Sequence, residues 1–162
     1  MAAHRQTPRP PTLELEALPG HYIRRLQQIA VAVFLQETAD HGITPVQYAA
    51  MQRIAHSPGI DQRTLARAIG FDTSTIAGVI DRLEARGWVA RSVSAEDRRA
   101  RALTITPAGH TLLEEVVPGV LAAQQRMLEP LSREEREVFV RMLKTVVTAN
   151  NTLSRAPSGG EG

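Results

Sequence analysis

Apolar residues recur at helical spacing from Pro19 to about Asp40, at Ile23, Leu26, Ala30, Val33 and Phe34, which predicts a first helix with Pro19 in its opening turn. Gly42 closes it. Thr44 followed by Pro45 is an N-cap and first-turn pair for a second helix reaching about His56, and Ser57, Pro58 and Gly59 stop that helix. Asp61 caps a short third helix through Ile69, with Leu65, Ala66 and Ile69 inward and Gly70 as its left-handed C-terminal cap. Asp72 or Thr73 opens a fourth helix through Arg86, whose apolar line Ile76, Val79, Ile80 and Leu83 faces inward before Gly87 ends it. The period then changes. Val89, Arg91 and Val93 alternate with Ala90 and Ser92, and Leu103 and Ile105 with Ala102 and Thr104, on either side of a polar stretch from Ser94 to Ala100. This predicts a β-hairpin with a charged tip. Thr106 and Pro107 start a long helix to about Leu128, with a kink expected at Pro118-Gly119. Ser132 and Glu135 form a capping box for a last helix through about Asn150 or Leu153, with Val138, Phe139, Met142, Leu143, Val146 and Val147 as a broad apolar stripe.

Two short helices joined by a glycine-containing turn and followed directly by a hairpin make a helix-turn-helix with a wing. The expected fold class is mainly α with a small β-hairpin wing. Five segments follow: residues 1–17 as a largely disordered arm, 18–56 as helices one and two, 57–106 as the winged lobe, 107–153 as the C-terminal helices and 154–162 as a disordered tail. A chain of 162 residues fits a single compact unit. No internal repeat is evident.

Composition narrows the class. No stretch approaches the run of about 20 apolar residues that a membrane span needs, and the N-terminus carries His4, Arg5, Pro8, Pro10 and Pro11 where a secretory signal would be apolar. A soluble, cytoplasmic, nucleoid-associated protein with no membrane contact is the expectation. Cysteine is absent, so disulfides, thiolate metal sites and thiol-based redox sensing are excluded. Net charge is only +2, but Lys144 is the sole lysine, and arginine forks suit phosphate and guanine. From Arg53 to Arg101 nine arginines stand against six acidic residues, which makes the middle the basic part of the chain. Enzyme chemistry finds no footing: there is no nucleophile elbow, phosphate loop or metal-spaced cluster, and His4, His21, His41, His56 and His110 are scattered. Neither metal nor cofactor is expected.

On the fourth helix, the face opposite the apolar line holds Ser74, Thr75, Gly78 and Arg82, with Ala77 and Asp81 at its border. Small side chains there let a helix sink into a major groove. A helix-interior glycine costs about 0.8–1 kcal/mol, so Gly78 suits close approach to another surface, the alternative being a tolerated surface glycine. Thr73, Ser74 and Thr75 can cap, bind phosphate or read base edges. Arg82 can reach DNA or pair with Asp81 or Glu84. Arg63 on the third helix, and Arg91, Arg98, Arg99 and Arg101 on the hairpin, complete the candidate DNA-binding set. Asp97 in that basic tip is assigned a structural role, pairing with an arginine to fix the loop. The first and last two helices carry apolar stripes wider than a small winged domain uses, which fits either a bundle within one chain or an interface between two copies.

These residues resemble the MarR family of bacterial transcription regulators, the multiple-antibiotic-resistance type. The resemblance rests on Leu65-Ala66, Asp72 to Val79, "DRLEARGWVAR" from Asp81 to Arg91, "EDRRARALTITPAG" from Glu96 to Gly109, and the order of elements, and covers roughly Leu18 to Leu153. Ile105-Thr106 stands where the family usually has Leu-Thr. The resemblance implies a winged helix-turn-helix with N- and C-terminal dimerisation helices. It implies a homodimer on a pseudo-palindromic double-stranded operator, with half-sites about 34–36 Å apart, Arg99 in the minor groove and Arg98 near phosphate. It also implies a small phenolic or aromatic carboxylate effector bound between the dimer helices and the DNA-binding lobe. Candidate effector contacts are His21, Arg24, Arg25 and Gln28 on helix one, with Gln47, Tyr48 and Met51 on helix two; ion pairs, capping and core packing are the alternatives for each. The expected action is repression relieved by ligand, and the rival is a winged-helix or architectural DNA-binding protein with no effector.

Overall fold

The computed structural model describes residues 12–93 and 101–154. Helix α1 (Pro19–Glu37) is followed by α2 (Pro45–His56), a two-residue strand β1 (Ile60–Asp61), α3 (Gln62–Ala68), α4 (Thr73–Ala85), β2 (Val89–Val93), β3 (Arg101–Ile105), α5 (Pro107–Met127) and α6 (Arg133–Ala149). Single 3-10 turns at Leu15–Ala17, Ala39–His41 and Asn151–Leu153 flank the first and last helices. The tip residues Asp97, Arg98 and Arg99, the first residues of the arm and the end of the tail lie outside the described residues.

Local chemistry sets the helix starts. Thr44, Asp61, Asp72, Thr106 and Ser132 each accept a hydrogen bond from the backbone N–H of the third helical residue, satisfying one of the donors every helix start leaves free. Gln47 and Glu135 reach back to the N-cap backbone and close two capping boxes. Gly42, Gly70 and Gly87 end their segments at φ of 59°, 71° and 72°, in the left-handed region a side chain would strain.

The core is centred on the lobe between α2 and β3. Met51, Ile54, Leu65, Ile76, Ile80, Leu83, Val89 and Leu103 are buried together, and full burial of each such side chain contributes about 1.5–3 kcal/mol. The sheet has the order β1-β3-β2, all antiparallel, with Val89 opposite Ile105 and Arg91 opposite Leu103. The expected two-stranded hairpin therefore gains a third strand, because Ile60 pairs with Leu103 and Asp61 with Ala102. Helix α1 is shorter than its apolar pattern: the Thr38 hydroxyl donates to the Phe34 carbonyl and the chain tightens into a 3-10 turn before Gly42. Helix α5 is assigned as one continuous element through Pro118, with Gly119 lying against α1.

Candidate nucleic-acid interface

Helices α3 and α4 meet through a turn held by backbone and side-chain hydrogen bonds. The Phe71 N–H donates to the Ala66 carbonyl at 2.9 Å, and Gln62 Nε2 donates to the Thr73 carbonyl at 3.3 Å. Ile76, Val79, Ile80 and Leu83 are buried, so the opposite face of α4, with Ser74, Thr75 and Arg82, is the exposed one. Arg63 and Arg101 are also exposed. Among the described residues Arg82 has no ion-pair partner, because Asp81 and Glu84 are taken by another cation. Among the described residues packing does not require Gly78: the helix's own backbone aside, an added Cβ would meet only the end of the Arg82 side chain, at 3.5 Å.

Two sequence expectations change in the structure. Arg91, expected on the DNA-facing ribbon, turns back onto α4, where its guanidinium pairs with Asp81 and lies 3.4 Å from Glu84 Oε2. It anchors the root of the wing to α4, and register explains why: Arg91 sits opposite Leu103 near the buried end of β2. The hydroxyls at the start of α4 are also committed. Ser74 Oγ donates to Asp72 Oδ1, and Thr75 Oγ1 donates to Asp72 Oδ2 at 2.6 Å. Three hydrogen bonds from Ser74 and Thr75 hold the Asp72 carboxyl far below its ordinary range, so a carboxylate occupies the helix N-terminus where phosphate was considered.

Behind the wing, the Thr-Pro-Ala-Gly segment has a packing reason. Thr106 Oγ1 donates to the Gly87 carbonyl at 2.6 Å while accepting the Gly109 N–H at 3.0 Å. A Cβ on Gly109 would stand 2.2 Å from the Trp88 carbonyl oxygen, so only glycine lets α5 start this close to β2.

The candidate effector residues are not brought together within one protomer. Gln47 and Met51 are buried in the lobe, Gln47 spending its side chain on the capping box, and Tyr48 packs against Phe34 while accepting a hydrogen bond from Gln52. His21 sits edge-on to Tyr22, and Arg24 reaches Gln28, both near the start of α1. His21 and Phe34 lie thirteen positions apart on α1, about 20 Å of helix. Sequence reasoning missed a cleft of about 620 Å³ between α1, the end of α3 and the end of α6, lined by Ile23, Ile69, Leu143, Val146, Val147 and Asn150 among others. Its apolar residues were visible as helix stripes, but which stripes meet is a long-range property.

Among the described residues no helix is long and apolar enough to cross a membrane, and no group of three metal-ligating side chains occurs. The MarR family model matches residues 43–100, from the start of α2 into the wing. The chain is 36% identical to a putative transcriptional regulatory protein for the hcr operon of Thauera aromatica, over 77% of this chain and 76% of that one. It is 35% identical to the transcriptional regulator HosA of Escherichia coli O157:H7, over 78% and 93% of the two chains. Among solved structures, the BpsR regulator of Bordetella bronchiseptica superimposes with a TM-score of 0.79 at 31% identity, covering 84% of this chain and 97% of that one. The repressor CouR, bound to a 23-mer DNA duplex, gives 0.78 at 28% identity over 85% and 99%. With this fold, these relatives and a winged helix-turn-helix behind both, the chain belongs to the MarR family of transcriptional regulators, dimeric DNA-binding proteins rather than enzymes.

Proposed function

We propose that this protein is a homodimeric repressor that holds a pseudo-palindromic operator through α4 and the wing and is released by a small aromatic or phenolic acid. The carrying observation is the division of the surface. The face of α4 bearing Ser74, Thr75 and Arg82, with half-buried Gly78 between them, is turned outward, whereas the apolar face of α6 lacks a cover among the described residues, Met142, Val146 and Val147 being 60%, 54% and 63% exposed. The first surface fits a groove and the second fits another copy. At the groove, the Ser74 and Thr75 hydroxyls donate their hydrogen bonds to Asp72, so they present oxygen lone pairs outward. Those suit the amino groups of adenine and cytosine in the major groove, and do not suit phosphate. Arg63, Arg82 and Arg101 supply the cations, with Arg98 and Arg99 at the tip and Asp97 fixing the loop.

For the effector, the reading takes support from BpsR, whose DNA binding is regulated by 6-hydroxynicotinic acid. The apolar cleft beside α1 is wide enough for one aromatic ring with its substituents, and His21, Arg24 and Arg25 lie within two residues of Ile23 on its wall. Gln28 lies one turn further along α1. Tyr48 lies elsewhere in the protomer, and Gln47 and Met51 act in the core.

The test is a gel-shift titration on DNA fragments that the protein itself selects from its genome, with and without hydroxylated benzoates and nicotinates. Release by one of these acids, together with thermal stabilisation of the free protein by the same acid, supports the reading. Binding that no acid alters, with no thermal shift, favours the effector-free alternative. Arg99→Ala on the same fragments should weaken binding by about 1–3 kcal/mol; unchanged affinity removes the tip from the interface.

A further inference from the structure

Arg86 occupies the C-cap of α4, and its side chain leaves the reading helix for a different part of the molecule. Its Nη1 donates to the Gly42 carbonyl at 2.7 Å and its Nη2 to the His41 carbonyl at 3.4 Å. The guanidinium also lies over the ring of Trp88, 3.7 Å from the centroid. One cation therefore ties together the end of α4, the residue leading into β2, and the turn between α1 and α2. That turn ends in two adjacent carbonyls, which suit a donor of fixed fork geometry.

The other side of the same turn is held by α5. A Cβ on Gly119 would stand 2.4 Å from the Glu37 carbonyl oxygen, so the two helices touch backbone to backbone there. Arg126 Nη1 donates to Glu37 Oε1 at 2.7 Å and to Gln36 Oε1 at 3.0 Å. The stretch from Gln36 to Gly42 is thus gripped by α5 on one side and by the end of α4, through Arg86, on the other.

We propose that Arg86 is a positioning residue for DNA recognition: it locks the end of the reading helix and the root of the wing to the α1–α2 turn. The separation of the two reading helices in the dimer then follows α1 and α5. Arg86 does this without touching DNA. The inference needs the family's DNA binding and does not depend on any effector. A loosened Arg86 leaves each lobe able to read its half-site but no longer fixes the distance between the two, so discrimination between a full operator and a half operator is what falls.

The probe is a palindromic duplex selected from random-sequence DNA by the wild-type protein, alongside a duplex carrying only one of its halves. Arg86→Gln and Arg86→Lys are compared with wild type by fluorescence anisotropy across a salt series, with sedimentation and circular dichroism as checks on assembly and fold. Trp88, the single tryptophan of the chain, reports the contact directly through its emission. Expected are a folded dimer, altered Trp88 emission in Arg86→Gln, a loss of about tenfold on the full site for Arg86→Gln, unchanged half-site affinity and an unchanged salt slope. Arg86→Lys, which keeps the charge but cannot span two carbonyls or lie flat on the ring, should show the same pattern more weakly. Equal loss on both duplexes with a salt slope reduced by about one makes Arg86 a phosphate contact and overturns the proposal. So does wild-type full-site binding in both variants, or failure of both to fold. If the wild-type protein selects no duplex, DNA binding itself fails and the proposal with it.

Discussion

Helices α4 and α6 are both amphipathic, yet they use their apolar faces in opposite ways. Helix α4 buries Ile76, Val79, Ile80 and Leu83 within its own chain and offers its polar face outward. Helix α6 has no buried residue at all and leaves Val140, Met142, Leu143, Val146 and Val147 open. A stripe that wide in water opposes folding unless it is covered, and contiguous apolar exposure of this kind marks an association surface. The lobe is thus packed within one protomer, while α6 leaves an apolar face that the proposed dimer would cover.

The strongest way to break this contrast is to charge α6. Met142→Glu combined with Val146→Glu, on one face of the helix, should give monomers by sedimentation while circular dichroism of the lobe persists. Operator affinity should drop by about a hundredfold or more as the second half-site ceases to be an intramolecular event. A dimer that survives both charges would show that α6 is covered in another way. Next in size is Leu83→Ala, which empties a fully buried position of the lobe and should lower unfolding free energy by about 2–5 kcal/mol in denaturant titrations. A smaller value means that the α4 face packs less firmly than its burial implies.

Gly78→Ala sharpens the comparison differently, because it should move stability and function in opposite directions. Helix propensity predicts a gain of about 0.8–1 kcal/mol, since among the described residues, the helix's own backbone aside, the new methyl meets only Arg82 Nη1 within 4 Å. DNA affinity should fall if the groove presses against this face. A variant that gains stability and binds as before would place the groove elsewhere on α4.

Asp72 gives the smallest effect. Its carboxyl, held low by Ser74 and Thr75, has a folded pKa below its unfolded one. The stability it contributes is present above the unfolded value of about 3.9 and disappears as pH falls through the folded one. Asp72→Ala should therefore melt earlier than wild type at neutral pH, with the gap narrowing in acid. A gap that does not change with pH would mean that the cap acts without its charge.

How much of this was legible in the sequence depended on range. Caps are local, so Thr44-Pro45, Asp61, Thr106-Pro107 and the Ser132-Glu135 pair could be read directly, as could Gly42, Gly70 and Gly87 at the ends. Strand β1 was not, because two residues carry no period; they became a strand only by lying beside Leu103. Arg91 and Arg86 are the same residue type five positions apart, yet one pairs with carboxylates on α4 and the other reaches carbonyls more than forty residues back. Side-chain destination of that kind is set by strand register and by where α1 ends, and neither is written in local spacing. The commitment of Ser74 and Thr75 to Asp72 was within local reach, since an acidic N-cap two and three residues before hydroxyls favours such bonds.

A hydroxyl-radical footprint of the protein on its selected operator tests the division of labour most directly. A dimer reading through two α4 helices predicts two protected tracts on one face of the duplex, centred about 34–36 Å apart. A single protected tract, or protection that wraps the duplex without such spacing, would contradict it.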